Sequence, residues 1–350
     1  MPITPAQLAR GANYQLMTNA QNDPVDQITK DKPLTEWLLR GATETVFMNG
    51  IFNEKLRLSH GSNYQNFSHD DQLTYNRRDP VRLAPFQHYE AFDGFTLNET
   101  ELANNGIILT EDTNQVLEEG EKGRIVNLLN ENWAVLKEGY QENWDREMHL
   151  DGQQNAKACP GLDLLVSTTP AIGVIGGIDA AVVAPWRNNV NLGISTATVG
   201  NLSEQMEITH RACRTYGKTA PDFYVCGSAF YDAYRNDAKD TINRQIVVDG
   251  KKGTDLDGSV ENLYFKGKLL VWDPTFDELD ALLGVITHPW AKRCYMLNSK
   301  HIKLRKFKGR WMLKRTPPRV YDRLTYYFGL TSDYGLTTNR RNAHAVLSIA

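Results

Sequence analysis

The clearest pattern of hydrophobic and polar positions lies between Leu117 and His149. Apolar residues recur there at alternating spacings of three and four, as on one face of an α-helix. They are Ile125, Leu128, Leu129, Trp133, Leu136, Tyr140, Trp144 and Met148. At about 1.5 Å per residue such a helix is roughly 45 Å long, more than a compact domain of this size can bury on all sides. The pattern therefore predicts a structural strut whose apolar face packs on the strands after Arg319.

Before this helix the pattern is typical of β-strands. Alternation around Leu56, and again from Val81 to Ala84, predicts two strands. The stretch between them, Ser59–Asp79, has Leu73 as its only aliphatic residue. A segment this polar cannot carry its own core, so we predict a hairpin with a long exposed connection. Because an isolated hairpin is marginally stable in water, neighbouring subunits should order it.

After the long helix, helical and strand patterns are mixed. A glycine-rich string, GVIGGIDAAVVAPWRNN, precedes a predicted helix that ends at Gly217. One face of that helix carries Leu202, Met206, His210 and Cys213. Asp222–Cys226 has the pattern of a buried strand that leads into a further helix, SAFYDAYRNDA. The remaining β-patterns lie at residues 263–272, 294–304 and 324–348, so the fold class is α+β.

Composition and charge exclude several classes of protein. With 350 residues, the chain can form two domains, or one domain with large insertions. Its net charge of −3 argues against binding nucleic acid or membranes by bulk electrostatics. No apolar run approaches the length of about 18 residues expected of a membrane span. The beginning, MPITPAQLARGANYQLMTNAQNDP, lacks the pattern of a secretory signal, so we expect cytosolic synthesis and no membrane partner.

Candidate chemistry is sparse. Cys159, Cys213, Cys226 and Cys294 form no Cys-x-x-Cys pair, which favours buried free thiols over disulfides or a zinc site. The eight histidines form no H-x-x-x-H or H-E-x-x-H pair, and no serine lies in a Gly-x-Ser-x-Gly motif. We therefore predict no catalytic, cofactor-binding or metal-binding residues, and a protein that is not an enzyme.

Two segments imitate ligand-binding loops. Gly217-Lys218-Thr219 ends a string like that of a phosphate-binding loop, but Ala212 replaces the first glycine and a helix precedes the loop. We interpret Gly217 as the glycine that ends the preceding helix. Asp249–Glu261 resembles a calcium loop, yet its lysines stand where they would repel a cation. We interpret it as a flexible polar loop.

A basic block near the C-terminus leaves two interpretations open. Its cations are Lys300, Lys303, Arg305, Lys306, Lys308, Arg310, Lys314, Arg315, Arg319 and Arg323. They form either a solvated surface or a patch that meets an acidic neighbouring subunit or a nucleic-acid backbone. Aromatic residues are sparse among them, which argues against a platform for stacking single strands.

The order of these parts resembles that of the major capsid proteins of tailed double-stranded DNA phages, which have the Hong Kong 97-like fold. The strings that carry the resemblance are GGIDAAVVAPWRNN, LSEQMEITHRACRTYG, APDFYVCGSAFYDAY, YMLNSKHIKL and NRRNAHAVLSIA. The family commonly has a basic residue after the Gly-Ile-Asp run, where this chain has Ala180. The resemblance covers roughly residues 45–350.

The resemblance implies four parts. Residues 1–45 would be an N-terminal arm and residues 46–97 the E-loop hairpin. The peripheral domain would comprise residues 98–157 and 299–350, with the long helix as its spine at about 116–150. Residues 158–298 would form the axial domain.

The resemblance also implies a function. Such a protein assembles through hexamers and pentamers into an icosahedral shell that encloses the phage genome. Its expected partners are further copies of itself, scaffolding and portal proteins, and packaged DNA by non-specific proximity. The expected location is the virion capsid, after assembly in the host cytoplasm. Alternatives are an encapsulin-type shell, a phage tail or decoration component, and a nucleotide-binding enzyme that uses the loop at Gly217.

Overall fold

The computed structural model describes residues 29–45, 50–78, 81–98, 100, 119–217, 219–241, 263–284, 286–315 and 325–350. The chain divides into two compact units. Beyond Lys30, the small unit comprises Glu90–Trp144 and Gly309–Asp333, and the large unit comprises Asp31–Tyr89, Asp145–Lys308 and Tyr334–Ala350. Within the described ranges, no helix is both long and apolar enough to cross a membrane.

The described helices are α1 (Pro33–Arg40), α2 (Glu119–His149), α3 (Leu162–Leu165), α4 (Asn201–Gly217), α5 (Ser228–Thr241) and α6 (Pro274–Leu283). The strands are β1 (Thr43–Thr45), β2 (Ile51–Arg57), β3 (Val81–Gln87), β4 (Tyr89–Asn98), β5 (Val174–Ile175), β6 (Ile178–Asp179), β7 (Asn189–Ile194), β8 (Phe223–Cys226), β9 (Leu263–Phe265), β10 (Lys268–Trp272), β11 (Arg293–Leu297), β12 (Ile302–Phe307), β13 (Leu313–Arg315), β14 (Thr325–Thr338) and β15 (Ala345–Ile349). The long helix, the helix ending at Gly217 and the buried strand before Gly227 are confirmed.

A six-stranded sheet forms the centre of the large unit. Its strand order is β7-β15-β11-β8-β10-β9, with β15 parallel to β7 and β8 parallel to β10. One face is covered by α4 and α5, whose residues Leu202, Met206 and Phe230 join the buried cluster of the sheet. The 3.6-residue period of α4 turns these apolar side chains to the same side, which is why the helix packs flat on the strands.

The predicted β-hairpin is confirmed. β2 and β3 pair antiparallel from Ile51 opposite Gln87 to Arg57 opposite Val81. Alternate residues at the base of the hairpin are buried, among them Phe52 and Phe86. The following stretch, residues 58–78, has no regular secondary structure. Only one face of the hairpin is buried. The alternation of apolar and polar residues along β2 and β3 therefore sets which face packs on the rest of the large unit.

A second sheet consists of β1, β12, β14, β13 and β4, and each unit contains part of it. In the large unit, β12 pairs parallel with β1 and antiparallel with residues 334–338 of β14. In the small unit, residues 329–331 of β14 pair antiparallel with β13, and β4 also pairs with β14.

The small unit packs helix α2 on this sheet through aromatic side chains. Trp133 contacts Phe328 edge-on at 6.2 Å and Phe95 at 5.5 Å between ring centroids. Trp144 contacts Trp311 at 5.5 Å. The contact of Trp133 with Phe328 confirms, for this part of the helix, that its apolar face meets a strand after Arg319.

Several predictions concern residues outside the described ranges. They include most of the N-terminal arm, the polar loop Asp249–Glu261, and Lys218. The division into arm, hairpin, peripheral domain and axial domain also stays a prediction.

Candidate interaction surface

The distal part of the hairpin is almost fully exposed. Tyr64, Phe67 and Tyr75 are 85%, 65% and 89% exposed. Side chains bridge the two arms, because the Asn63 amide donates to Thr74 Oγ1 at 3.1 Å and Thr74 Oγ1 donates to Gln65 Oε1 at 3.1 Å. The segment is therefore shaped by polar contacts, while its aromatic side chains are largely exposed. Exposed aromatic groups of this kind are typical of surfaces that bind a partner.

The root of the hairpin is anchored on the sheet of the large unit. Arg305 Nη2 donates to Glu54 Oε1 at 2.5 Å, and Thr337 Oγ1 donates to the same oxygen at 3.1 Å. The Phe52 ring stacks on Phe307 with centroids 5.2 Å apart. A Cβ at Gly335 would lie 2.7 Å from the Phe52 ring, so this close approach requires glycine. The hairpin thus has a fixed root and an uncovered tip.

Removing the carboxylate of Glu54 should loosen the root. The side chain is 14% exposed and its partner Arg305 is 22% exposed, so Glu54→Ala leaves a partly buried guanidinium without its acceptor. We expect a loss of about 1–3 kcal/mol in the free energy of unfolding, with faster hydrogen exchange in β2. Lys55→Ala, on the exposed side of the same strand, is the control and should change neither quantity. Equal exchange rates in the two variants would contradict the anchoring role.

A buried polar cluster in the large unit joins α1, α6 and the C-terminal end of α2. Asp145, His149 and Asp273 are at most 1% exposed. Asp145 accepts hydrogen bonds from Thr35 Oγ1 at 2.6 Å and from Thr275 Oγ1 at 2.7 Å. His149 lies between acceptors, since Nδ1 is 2.8 Å from the Asp145 carbonyl oxygen and Nε2 is 3.1 Å from Asp273 Oδ2. The other oxygen of Asp273 caps α6 by accepting from Thr275 N at 3.0 Å.

The spacing of this cluster would suit a metal ion, but its bonding does not. The ligand atoms of Asp145, His149 and Asp273 lie within 4.8 Å of one another. Each carboxylate oxygen already accepts a hydrogen bond from the protein, and both imidazole nitrogens face acceptors. A metal would need a deprotonated imidazole nitrogen in place of these bonds. The cluster is therefore a structural junction. The sequence analysis missed it, and the only local signal was the four-residue spacing of Asp145 and His149 on α2.

The electrostatics of the cluster favour a charged histidine. Burial alone would lower the pKa of His149, but the carboxylates of Asp145 and Asp273 outweigh it and raise the pKa to about 9. Two uncharged rings also pack against it, Phe276 at 5.1 Å and Trp290 at 6.3 Å between centroids. The imidazolium form has a donor for each acceptor that it faces.

This shift predicts a pH dependence of stability. The pKa of His149 in the folded protein lies above the ordinary value of 6.5. The stabilisation that the charged imidazole gives to the fold is therefore complete below pH 6.5 and is lost as pH rises through about 9. We expect the free energy of unfolding to fall by up to about 3 kcal/mol across this window. Urea unfolding at a series of pH values measures it. In His149→Gln the fall should be smaller, and an equal fall in both proteins would contradict the assignment.

The glycine-rich string is a structural crossing held by a buried arginine. Arg341 is fully buried and donates to the carbonyl oxygens of Leu165 at 2.8 Å and Trp186 at 3.0 Å, and to Asn188 Oδ1 at 3.0 Å. Burial lowers the pKa of Arg341 to about 10. Three segments distant in sequence therefore meet at one guanidinium.

Among the described residues of the basic block, several cations have partners within the chain. Arg305 pairs with Glu54, and Arg310 pairs with Asp333 at 2.6 Å. Lys314 lies 4.7 Å from the centre of the Trp133 ring. Lys300 and Lys308 are exposed. Part of the block thus forms contacts within its own unit.

The remaining sequence candidates are structural where they are described. Thr219 accepts hydrogen bonds from Asn298 Nδ2 at its carbonyl oxygen (3.3 Å) and at Oγ1 (3.1 Å), and a helix precedes it, as the sequence indicated. All four cysteines are free and buried, as predicted. Burial raises the pKa of each thiol, which makes the thiols poor nucleophiles.

Solved structures with a similar fold cover nearly the whole chain. A capsid chain of cyanophage A-1(L) matches 96% of this chain and 98% of its own length, with a TM-score of 0.62 and 15% identity. A capsid chain of a native GTA particle covers 94% of this chain and 95% of its own, with a TM-score of 0.54 and 11% identity. The SrpI encapsulin of Synechococcus elongatus covers 99% and 96%, with a TM-score of 0.52 and 10% identity.

The sequence comparisons differ from the structural ones. No protein-family profile and no curated protein sequence matches the chain. The structural similarity at such low identity establishes the fold. The chain therefore has the fold of phage capsid subunits, and the Hong Kong 97-like fold predicted from the sequence is confirmed.

Proposed function

We propose that this chain is the major capsid protein of a tailed phage and that it assembles through hexamers and pentamers into a shell around the genome. The observation that carries the proposal is the similarity in fold to a cyanophage capsid subunit over 96% of the chain. The exposed hairpin supports it independently, because its aromatic tip needs a surface that the subunit itself does not supply.

The hairpin can reach well beyond its root. Arg57 and Val81 are directly opposite each other, and 23 residues of the chain lie between them. At about 3.3 Å per residue, an arm of about 11 residues extends at most about 35 Å. In a ring, subunits meet head to tail, so each offers two different surfaces to its neighbours. A projecting hairpin provides one of these surfaces, and many such weak contacts together stabilise a closed lattice.

The parts named from the sequence take roles in this proposal. Residues 1–45 act as the arm, residues 98–157 and 299–350 as the peripheral domain, and residues 158–298 as the axial domain. Scaffolding and portal proteins are partners during assembly in the host cytoplasm, and packaged DNA is close to the finished shell without sequence-specific contacts. No substrate or cofactor is required, so the protein is not an enzyme.

Sedimentation and electron microscopy of the expressed chain test the proposal, both alone and with its scaffold. We expect closed particles built from hexamers and pentamers. A compact monomer that persists under both conditions would overturn it. Tubes or open rings without closed shells would favour a tail or decoration component.

The encapsulin alternative rests on the similarity to the SrpI shell. It predicts particles that enclose protein cargo, and a gene neighbourhood without terminase and portal genes. Particles that retain DNA would favour the capsid function. The nucleotide-binding alternative predicts that calorimetry detects tight binding of ATP or GTP and that Lys218→Ala abolishes it. The capsid proposal predicts that calorimetry detects no binding of either nucleotide.

A further inference from the structure

Two cysteines lie side by side in the centre of the six-stranded sheet. β8 and β11 pair antiparallel, and Cys226 is directly opposite Cys294. Both thiols are free and both residues are fully buried. They are separated by a long stretch of sequence, so only the strand pairing brings them together.

The hydrogen-bonding pattern of β8 and β11 indicates that the Cα atoms of Cys226 and Cys294 lie close together. In the next pair along the strands, Gly227 N donates to Arg293 O at 3.1 Å, which marks that pair as hydrogen-bonded. Hydrogen-bonded and non-hydrogen-bonded pairs alternate along an antiparallel ladder, so Cys226 and Cys294 form a non-hydrogen-bonded pair. In such pairs the Cα atoms are about 4.5 Å apart, within the range of about 4.4–6.8 Å that disulfides span.

Both side chains also project to the same face of the sheet. Cys226 and Cys294 belong to one buried cluster together with Met206 of α4 and Phe230 of α5. Directly opposed residues of an antiparallel pair share a face. The sulfur atoms therefore lie in one apolar layer beneath the two helices.

We propose that Cys226 and Cys294 are a disulfide-forming pair that links β8 to β11 when the protein meets a small disulfide oxidant such as glutathione disulfide. One thiolate attacks a sulfur of the oxidant, which forms a mixed disulfide and releases one glutathione. The second thiolate then attacks the mixed disulfide at the cysteine sulfur and releases the second glutathione. The two cysteines are oxidised, one glutathione disulfide is reduced, and the two cysteine protons go to the two glutathione thiols.

Burial sets the rate of this reaction. It raises the pKa of both thiols, and no oxidant reaches them while α4 and α5 cover the sheet. Oxidation therefore proceeds through local opening. The pair stays reduced in a reducing cytosol and becomes oxidised on long exposure to an oxidising medium.

The other two cysteines serve as internal controls. Cys213 belongs to the same buried cluster but lies on α4. Cys159 precedes α3, and its thiol is 3.7 Å from the Pro160 carbonyl oxygen. Neither has a cysteine opposite it in the described strand pairings. The prediction is thus specific for one of the possible pairings of four cysteines.

The experiment treats the purified chain with glutathione disulfide in urea below the unfolding transition, removes the oxidant, and then alkylates the remaining thiols in fully denaturing urea. Mass spectrometry should show two alkyl groups per chain, where an untreated chain takes up four, and non-reducing peptide mapping should show one peptide pair that joins Cys226 to Cys294. The oxidised protein should unfold at a higher temperature, and dithiothreitol should reverse the shift. Unlinked cysteines after this treatment, or a link to Cys159 or Cys213, would overturn the proposal.

Substitutions sharpen the test. Cys159→Ser and Cys213→Ser should leave the linkage intact, while Cys294→Ala should abolish it. The wild-type mass measurement does not depend on whether any variant folds. It is also independent of shell assembly, so the pairing can hold or fail separately from the proposed function.

Discussion

A subunit that lacks residues 59–79 should fold like the wild type and fail to form closed shells. The described residues of this segment are exposed or partly exposed and include Leu73 as their only aliphatic side chain, so their removal takes little from the core. The register allows a clean deletion, because Arg57 and Val81 are directly opposite each other. An Asn-Gly turn can close the shortened hairpin, since these residues adopt the backbone conformation of two-residue turns.

Thermal unfolding and circular dichroism measure the fold of this deletion variant, and sedimentation with electron microscopy measures its assembly. A matched variant keeps the full length but replaces Tyr64, Phe67 and Tyr75 by serine. If the exposed aromatic groups make the contact, this variant should lose assembly as well. Shells of normal yield and size from the deletion variant would remove the hairpin from the assembly surface. Loss of soluble folded protein would contradict the view that the segment contributes nothing to the core.

Asp273→Ala should be the most destabilising single substitution in the buried cluster. It removes the acceptor for His149 Nε2 and the cap of α6 together, and it leaves a fully buried imidazolium with one unpaired nitrogen. Breaking one side of a buried pair costs about 3–5 kcal/mol. We therefore expect a loss of this size in the free energy of unfolding, measured with urea near neutral pH.

Two further variants separate the causes of this loss. Asp273→Asn keeps an oxygen that can cap α6 but removes the charge, so its loss should be smaller. Asp232→Ala removes an exposed partner of Arg235 in a surface pair at 2.9 Å, and it should change stability by at most about 0.5 kcal/mol. A similar loss for Asp273→Ala and Asp232→Ala would show that the cluster contributes little.

Much of the fold could be predicted because its signals are local. The apolar period over residues 117–149 predicted a helix that the structure places at Glu119–His149. The same reasoning predicted α4, β8 and the hairpin strands, since periods of 3.6 and 2 residues arise directly from backbone geometry. The exposed connection of the hairpin followed from its single aliphatic residue, because a segment with so few aliphatic side chains cannot form its own core.

The contacts that hold these elements together could not be predicted in the same way. Glu54 and Arg305 are 251 positions apart in sequence, and Asp273 lies 124 positions from His149. Apart from the four-residue spacing of Asp145 and His149, no spacing distinguished these residues from the other polar residues of the sequence. The basic block shows the same difficulty, since Arg305 and Arg310 form ion pairs within the chain while their pattern suggested a possible binding surface.

The sequence by itself determined the long helix, α4, β8, the hairpin strands with their exposed tip, and the absence of any recognisable catalytic motif, because each depends on residues close together in the chain. Only the tertiary structure decided that His149 is charged between two carboxylates, that Glu54 anchors the hairpin, and that Cys226 faces Cys294. The physical reason is that these properties depend on burial and on distances between remote residues. Both arise only when the strands and helices pack against one another.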